Sequence, residues 1–256
     1  MTKCAIIGGT GVYSVEGIET EDFSVDTSWG STRVYRGKGS YNWLHFIPRH
    51  GEDHSVPPHR INYRANIDAL LELEIDHVVA VFAVGSISDW VKPGQMGMPN
   101  QFIDMTWGRK HTFFDGGDEG VHHTSMNEPF CRSLQGTLLK SAEQQGLSLA
   151  QGGTYLCANG PRFETPAEIK MYRGWGADVS GMTGATEAIL AGERELHYAA
   201  VCWSMNWCAG VEKELVVMDR NKMAKQKKQI MKLVLGALEQ VSETERSCAC
   251  KNRKIG

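Results

Sequence analysis

Val78-Val79-Ala80-Val81-Phe82-Ala83-Val84 is the most apolar run of the chain, and it stops at Gly85-Ser86. A short apolar run rich in β-branched residues and closed by turn residues reads as a strand. Five more runs share that grammar: Cys4–Ile7, Trp43–Ile47, Tyr155–Cys157, Asp178–Met182 and Tyr198–Trp203. Helical patterns lie between them. Asn62–Leu73 places Ala65, Ala69 and Leu73 on one line, and Pro166–Arg173 opens with Thr165 at the N-cap and Pro166 in the first turn. Ala185–Ala191 and Asn221–Val241 also read as helices, the last basic on one side through Lys222, Lys225, Lys227, Lys228 and Lys232, as a solvated face would be. Strands interleaved with helices predict α/β class: a single domain over residues 1–241, with a mixed central sheet flanked by helices. Residues 242–256 are polar and read as a mobile C-terminal tail.

Composition narrows the function. The chain has 256 residues, 41% hydrophobic and 22% charged, enough for one large core. The net charge of −3 and the lack of a basic, aromatic-studded face argue against nucleic acid as a partner. No apolar run approaches the roughly 20 residues of a membrane span, and the N-terminus enters a strand pattern directly, unlike a signal peptide. Seven cysteines, most in apolar runs (Cys4, Cys157, Cys202), fit reduced buried thiols and a cytoplasmic location. Cys248-Ala249-Cys250 sits in the polar tail and reads as two reduced thiols in a loose end rather than a redox clip. No Cys/His cluster has zinc-site spacing.

Several strand ends carry residues suited to chemistry. Gly8-Gly9-Thr10-Gly11 follows the first strand, and its amides and hydroxyl could cradle an anion or simply make a tight turn. It matches neither the dinucleotide fingerprint nor the lysine-bearing phosphate loop. Arg49-His50 follows Trp43–Ile47 and leads into a His-rich loop (His54, His59, Arg60) held by Pro57 and Pro58; a guanidinium fork suits a phosphate dianion, and a surface pair is the plainer reading. Ala83 ends the most apolar strand. Met182-Thr183 leads into a helix, where Thr183 could hold phosphate or cap the helix and Met182 could lie under a sugar or fill the core. Gly160-Pro161-Arg162-Phe163-Glu164-Thr165 supplies an aromatic ring and a carboxylate, and Asn206 a carboxamide. Ring, carboxylate and amide together suit a purine with oxygen at position 6: the carboxylate accepts N1–H and the amide faces O6 and N7. An adenine has an acceptor at N1, which the carboxylate would repel.

These motifs, Gly8–Gly11, Arg49-His50-Gly51, Pro57–Asn66, Gln101–Asp104, Gly160–Thr165 and Met182–Glu187, together resemble the trimeric purine nucleoside phosphorylase and methylthioadenosine phosphorylase family, in the family's order from about Lys3 to about Val241. The resemblance implies an α/β domain on a mixed, distorted sheet, assembled as a homotrimer. It implies phosphorolysis of a nucleoside, with inorganic phosphate as co-substrate and neither metal nor organic cofactor. By position, Thr10, Arg49, His50, Ala83 and Thr183 would hold phosphate, and Phe163, Glu164, Asn206 and Cys208 the base, with Asn206 donating to the leaving purine. Met182 would lie against the ribose, and His123 resembles a residue that reaches into a neighbouring subunit's site. Adenine-type members carry aspartates where this chain has Asn206 and Cys208, and lack a glutamate at the position of Glu164. Members acting on inosine and guanosine carry a histidine for the 5′-hydroxyl; here the stretch Leu215-Val216-Val217-Met218 is apolar, as a methylthio group would prefer. That combination resembles the methylthioinosine-cleaving members, with inosine or guanosine and then methylthioadenosine as alternatives. Phe82 departs from the small polar residue usual in the family. A dinucleotide-dependent oxidoreductase and a non-catalytic nucleotide-binding protein fit less well.

Overall fold

The computed structural model describes residues 2–9, 17–51, 53–117, 120–212, 220–241 and 248–255. In chain order the strands are β1 (Cys4–Gly8), β2 (Thr20–Thr27), β3 (Gly30–Gly37), β4 (Leu44–Pro48), β5 (His77–Ser86), β6 (Met96–Met98) and β7 (Gln101–Met105), then β8 (His123–Thr124), β9 (Ala150–Gln151), β10 (Thr154–Ala158), β11 (Val179–Gly181), β12 (His197–Trp207) and β13 (Lys254–Ile255). The helices are α1 (Tyr63–Glu72), α2 (Arg132–Gln144), α3 (Pro166–Gly174), α4 (Gly184–Glu193) and α5 (Arg220–Leu238). Eleven strands form one mixed sheet, with β8 and β13 pairing separately. The predicted α/β domain is observed, and each predicted strand and helix is present with ends shifted by at most four residues.

The central strand explains both the core and the site. Along β5, Val78, Ala80, Phe82 and Val84 pack on the face covered by α1 and α4, while Val79 and Val81 pack on the face covered by α2 and α5. A strand buried on both faces cannot alternate polar and apolar, which is why its sequence is a continuous apolar run. The first half of β5 lies between β1 and β12, with Ile7 opposite Ala80 and Tyr198 opposite Val78. Beyond Ala80 it leaves β1, and its last residues pair antiparallel with β11, Gly85 opposite Ser180. The sheet therefore opens on one side of Val81–Val84, at the C-terminal ends of β1, β4 and β5, where open α/β sheets hold ligands.

Local rules fix the flanking helices. Asn62 caps α1 by accepting from the Ala65 amide at 3.2 Å. Thr165 and Glu168 form a reciprocal capping box on α3, and Arg162 grips both oxygens of Glu168 at 2.7 and 2.9 Å. The loop carrying Phe163 and Glu164 is thereby fastened to its helix. On α5, Lys225, Lys228 and Lys232 are exposed, the solvated face its pattern predicts.

Three parts of the architecture differ from the sequence reading. The β2–β3 hairpin and α2 were not predicted. The hairpin has few apolar residues because one face is open to solvent, and only Val25, Thr32, Val34 and Gly37 are buried along it. The predicted strand Tyr198–Trp203 continues to Trp207, past an irregularity between Ser204 and Asn206. The tail is the third difference. Cys250 is 1% exposed and packs with Cys131 and Leu134, and β13 pairs with β8. Residues 248–255 are thus docked, because an apolar thiol and a short edge strand both find partners on the body. Residues 242–247 lie outside the described residues. Among the described residues, no helix is long and apolar enough to cross a membrane.

Candidate active site

The backbone of Arg49 continues β4, its amide donating to Gly8 O at 3.0 Å, and its guanidinium enters the opening between β1 and β5. Nη2 donates to Ile7 O at 3.1 Å and Nη1 to Val81 O at 2.8 Å. These are carbonyls of the two strands that part, and Arg49 satisfies groups that a continuous ladder would have paired. Nε and Nη2 also grip Glu187 of α4 at 2.9 and 2.8 Å. Tyr198 Oη donates to the same carboxylate at 2.8 Å, and the Phe82 ring lies 4.5 Å from the guanidinium carbon. Both charged side chains are 1% exposed. The fork that the sequence reading gave to phosphate is therefore occupied by Glu187, because a buried guanidinium requires a counter-charge. Phe82 packs on Arg49 rather than meeting an anion.

Thr183 stands at the N-cap of α4, yet its side chain makes no capping bond. The Thr183 and Gly184 amides donate instead to Tyr155 Oη, each at 3.3 Å. A buried phenol thus does the work of the cap, and the Thr183 hydroxyl is spared from it, at a helix end whose dipole favours an anion. Ala83 and Gly85 are the two partly exposed residues of an otherwise buried β5, so this face of the strand end is open. Gly9 lies against Arg49, where a Cβ would stand 2.6 Å from Nη1. Thr10 lies outside the described residues.

His50 is buried, and its Nδ1 is 2.8 Å from Val56 O. A carbonyl can only accept, so Nδ1 carries the proton and Nε2 offers a lone pair. Burial lowers its pKa to about 4; the Val56 contact opposes the shift, and Arg49 and His54 add to it. His50 is therefore neutral at physiological pH and can accept from a phosphate P–OH. Because the unfolded imidazole, with a pKa near 6.5, takes up its proton first, the His50 contribution to stability is complete above about pH 6.5 and is lost as pH falls toward about 4. Nitrogen-15 NMR of the ligand-free protein is expected to show an Nδ1–H tautomer that does not titrate between pH 5 and 8, a window set well above that value of about 4. A midpoint near the ordinary imidazole value would overturn this.

Three of the residues that the sequence reading gives to the base, Glu164, Asn206 and Cys208, gather around Gly85. Ser180 on β11 and Asn206 on β12 are both registered against it, on opposite sides of β5. Ser180 Oγ donates to Glu164 Oε1, which leaves the second carboxylate oxygen available. The extra residue between Ser204 and Asn206 bulges β12, and bulges re-aim side chains at active sites. Asn206 Nδ2 gives one N–H to Trp207 O at 2.7 Å, leaving the other N–H and the amide oxygen. Cys208 is buried, and its thiol pKa is pushed up to about 12 by burial and then by Glu164, so it stays protonated. A Cβ on Gly85 would stand 2.5 Å from Cys208 Sγ and 3.7 Å from Asn206 Nδ2. Gly85→Ala is expected to cost about 1–3 kcal/mol by overpacking. An unchanged urea midpoint would show that the thiol moves aside freely.

Of the remaining predicted residues, Met182 packs on Gly160, where a Cβ would meet its sulfur at 2.6 Å. Phe163 is 79% exposed. His123 is exposed on β8, in the separate two-stranded sheet. Val217 and Met218 lie outside the described residues.

The family model of the phosphorylase superfamily matches residues 3–239. The chain belongs to the phosphorylase superfamily. A 6-oxopurine nucleoside phosphorylase of Pyrococcus furiosus is 40% identical over 264 residues, covering 100% of this chain and 99% of its own. A probable S-methyl-5′-thioinosine phosphorylase of Methanopyrus kandleri is 38% identical, covering 100% and 99%. Among solved structures, a methylthioadenosine phosphorylase from an antarctic soil metagenomic library has a TM-score of 0.89 at 30% identity, covering 99% of this chain and 92% of that one. This kinship makes the protein a nucleoside phosphorylase, a pentosyltransferase.

Several residues that hold the candidate site residues in place were not singled out from sequence. Glu187 and Tyr198 hold Arg49, Ser180 holds Glu164, and Tyr155 caps α4. Each lies inside a predicted strand or helix, where a polar residue in an apolar run was the available signal. Arg109, outside every predicted element, is also buried, donating to Tyr63 Oη, Thr186 Oγ1 and Asn159 O.

Proposed function

We propose that the protein cleaves S-methyl-5′-thioinosine with inorganic phosphate, giving hypoxanthine and 5-methylthioribose 1-phosphate. The observation that carries this reading is the pairing of Glu164, braced by Ser180, with an amide at Asn206 and a neutral thiol at Cys208. No carboxylate stands at either of the last two positions, so the site favours a base that donates at N1 and accepts at O6. The methylthio preference rests on the apolar Leu215-Val216-Val217-Met218 stretch of the sequence. A second reading, a 6-oxopurine nucleoside phosphorylase for inosine and guanosine, is favoured by the name of the 40%-identical Pyrococcus furiosus relative.

In this mechanism C–N cleavage leads, and positive charge develops on the sugar. Phosphate beneath it would meet the α4 N-terminus with Thr183, His50 Nε2, the Ala83 strand end, the N–H left on Arg49, and Thr10. It would stabilise that charge and then attack. Asn206 would donate to the purine as it gains negative charge. Phosphate is the only co-substrate required. The homotrimer is the assembly that the family resemblance implies, and the exposure of His123 on β8 is compatible with its reaching a neighbouring subunit's site. The seven free cysteines fit a reducing cytoplasm.

The test is release of free base from methylthioinosine, inosine and methylthioadenosine, side by side, with and without phosphate. Phosphate-dependent cleavage strongest with methylthioinosine supports both halves of the proposal. Preference for inosine keeps the base site and removes the 5′ argument. Preference for methylthioadenosine overturns the base assignment.

A further inference from the structure

The described residues contain one group of three or more metal-capable side chains, and it lies in the docked C-terminal segment. Cys131, His197, Cys248 and Cys250 place their ligand atoms within 4.8 Å of one another. His197 Nδ1 lies 3.5 Å from Cys131 Sγ and 3.2 Å from Cys248 Sγ. A tetrahedral zinc with Zn–S of about 2.3 Å and Zn–N of about 2.0 Å needs S···N separations of about 3.6 Å and S···S separations of about 3.8 Å. The observed spacings already approach those of such a shell. Three of the four residues are buried and Cys248 is half-buried.

We propose that Cys131, His197, Cys248 and Cys250 form a closed, structural zinc site. Three thiols and an imidazole match the donor set of structural zinc, and four protein ligands leave no open position for catalysis. The balance is simple: Zn²⁺ displaces three thiol protons and binds neutral His197 through Nδ1, leaving a net charge of −1. Arg253 is 3% exposed and its Nη2 lies 3.5 Å from Cys250 Sγ, so the compensating cation is built in. With Nδ1 on the metal, the ring proton of His197 sits on Nε2, which is buried without a hydrogen-bond partner. Its plane is held by stacking on His77 at 4.5 Å. Cys131 sits at the start of α2, where the helix end favours a thiolate.

Contacts independent of a metal bring the ligands together. Cys131 N donates to Tyr198 O at 2.7 Å, His197 N to Asp76 O at 2.7 Å, and Ser125 N to Arg253 O at 2.8 Å. The β8–β13 pairing completes the frame, with Ile255 opposite His123. Sequence spacing hid the site because its ligands come from three distant segments, and only Cys248 and Cys250 are neighbours. Zinc here would clip the last described segment onto the body and steady β8 and His123 beside it.

The test uses the full chain, purified reduced and without chelator. Metal analysis is expected to find roughly one zinc per chain. Cobalt replacing zinc in the stripped protein is expected to give tetrahedral ligand-field bands and thiolate-to-metal charge transfer. Cys248→Ser, at the half-buried ligand and so least apt to unfold the chain, is expected to lose most of the bound metal. Zinc is expected to raise the Tm of the stripped wild type by about 4 °C or more and to leave Cys248→Ser unmoved. The proposal is overturned if the reduced wild type takes up neither metal, or if Cys248→Ser binds as much as wild type. It is equally overturned if mass spectrometry of protein prepared without oxygen finds these cysteines joined as disulfides.

Discussion

Glu187→Ala is expected to destabilise the protein by about 3–5 kcal/mol, a fall in Tm on the order of 10 °C for a chain of this size. The change leaves Arg49 charged, 1% exposed and without its counter-ion, while its other bonds to Ile7 O and Val81 O hold it in place. It also removes the acceptor of Tyr198 Oη. The cost belongs to the uncompensated charge and not to the pair as such. The double change Arg49→Met with Glu187→Leu is therefore expected to recover much of the loss, even though Ile7 O and Val81 O lose a donor. Chemical denaturation of the three variants checks this. A Glu187→Ala midpoint at the wild-type value would mean that water reaches the guanidinium.

Glu164→Leu is expected to lower kcat/KM for a 6-oxopurine nucleoside by about a hundred- to a thousandfold with little loss of stability. Glu164 is only half-buried, and Ser180 Oγ can turn to another acceptor when the carboxylate goes. The loss should fall on kcat/KM for the 6-oxopurine, whose N1–H would face an apolar side chain. Asn206→Asp is the complementary change. It puts a carboxylate where a 6-amino group and a protonated N7 could donate, so preference should move toward methylthioadenosine. Steady-state kinetics with paired 6-oxo and 6-amino substrates separate the two effects. An Asn206→Asp enzyme with unaltered base preference would remove Asn206 from the base site.

The legible parts of this molecule were those where one local rule decides. The run Val78–Val84 is apolar throughout because both of its faces are covered, and Thr165-Pro166 announces α3 because capping chemistry is local. Arg49, Glu164 and Asn206 could be placed at strand ends for the same reason. What each does there was less legible, because their partners are distant in sequence: Glu187 is 138 residues from Arg49, and Ser180 is 16 from Glu164. The bulge that turns Asn206 has no signature in Ser204-Met205-Asn206, since it lies in the pairing of β12 with the distant β5. The docking of Cys250 was hidden in the same way, by a polar segment whose partners, Cys131 and His197, lie far upstream.

The Arg49–Glu187 pair also bears on how an anion would be held. The most buried cation near the opening is already neutralised, so attraction for phosphate would come from oriented amides, the end of α4 and hydroxyl donors rather than from net positive charge. Fixed dipoles at contact distance are screened by dissolved ions far less than separated charges, whose reach at physiological ionic strength is about 8 Å. The KM for phosphate is therefore expected to change little as an inert salt is raised from low to high concentration. An enzyme that gathers its co-substrate in this way works alike in dilute and in salt-rich surroundings.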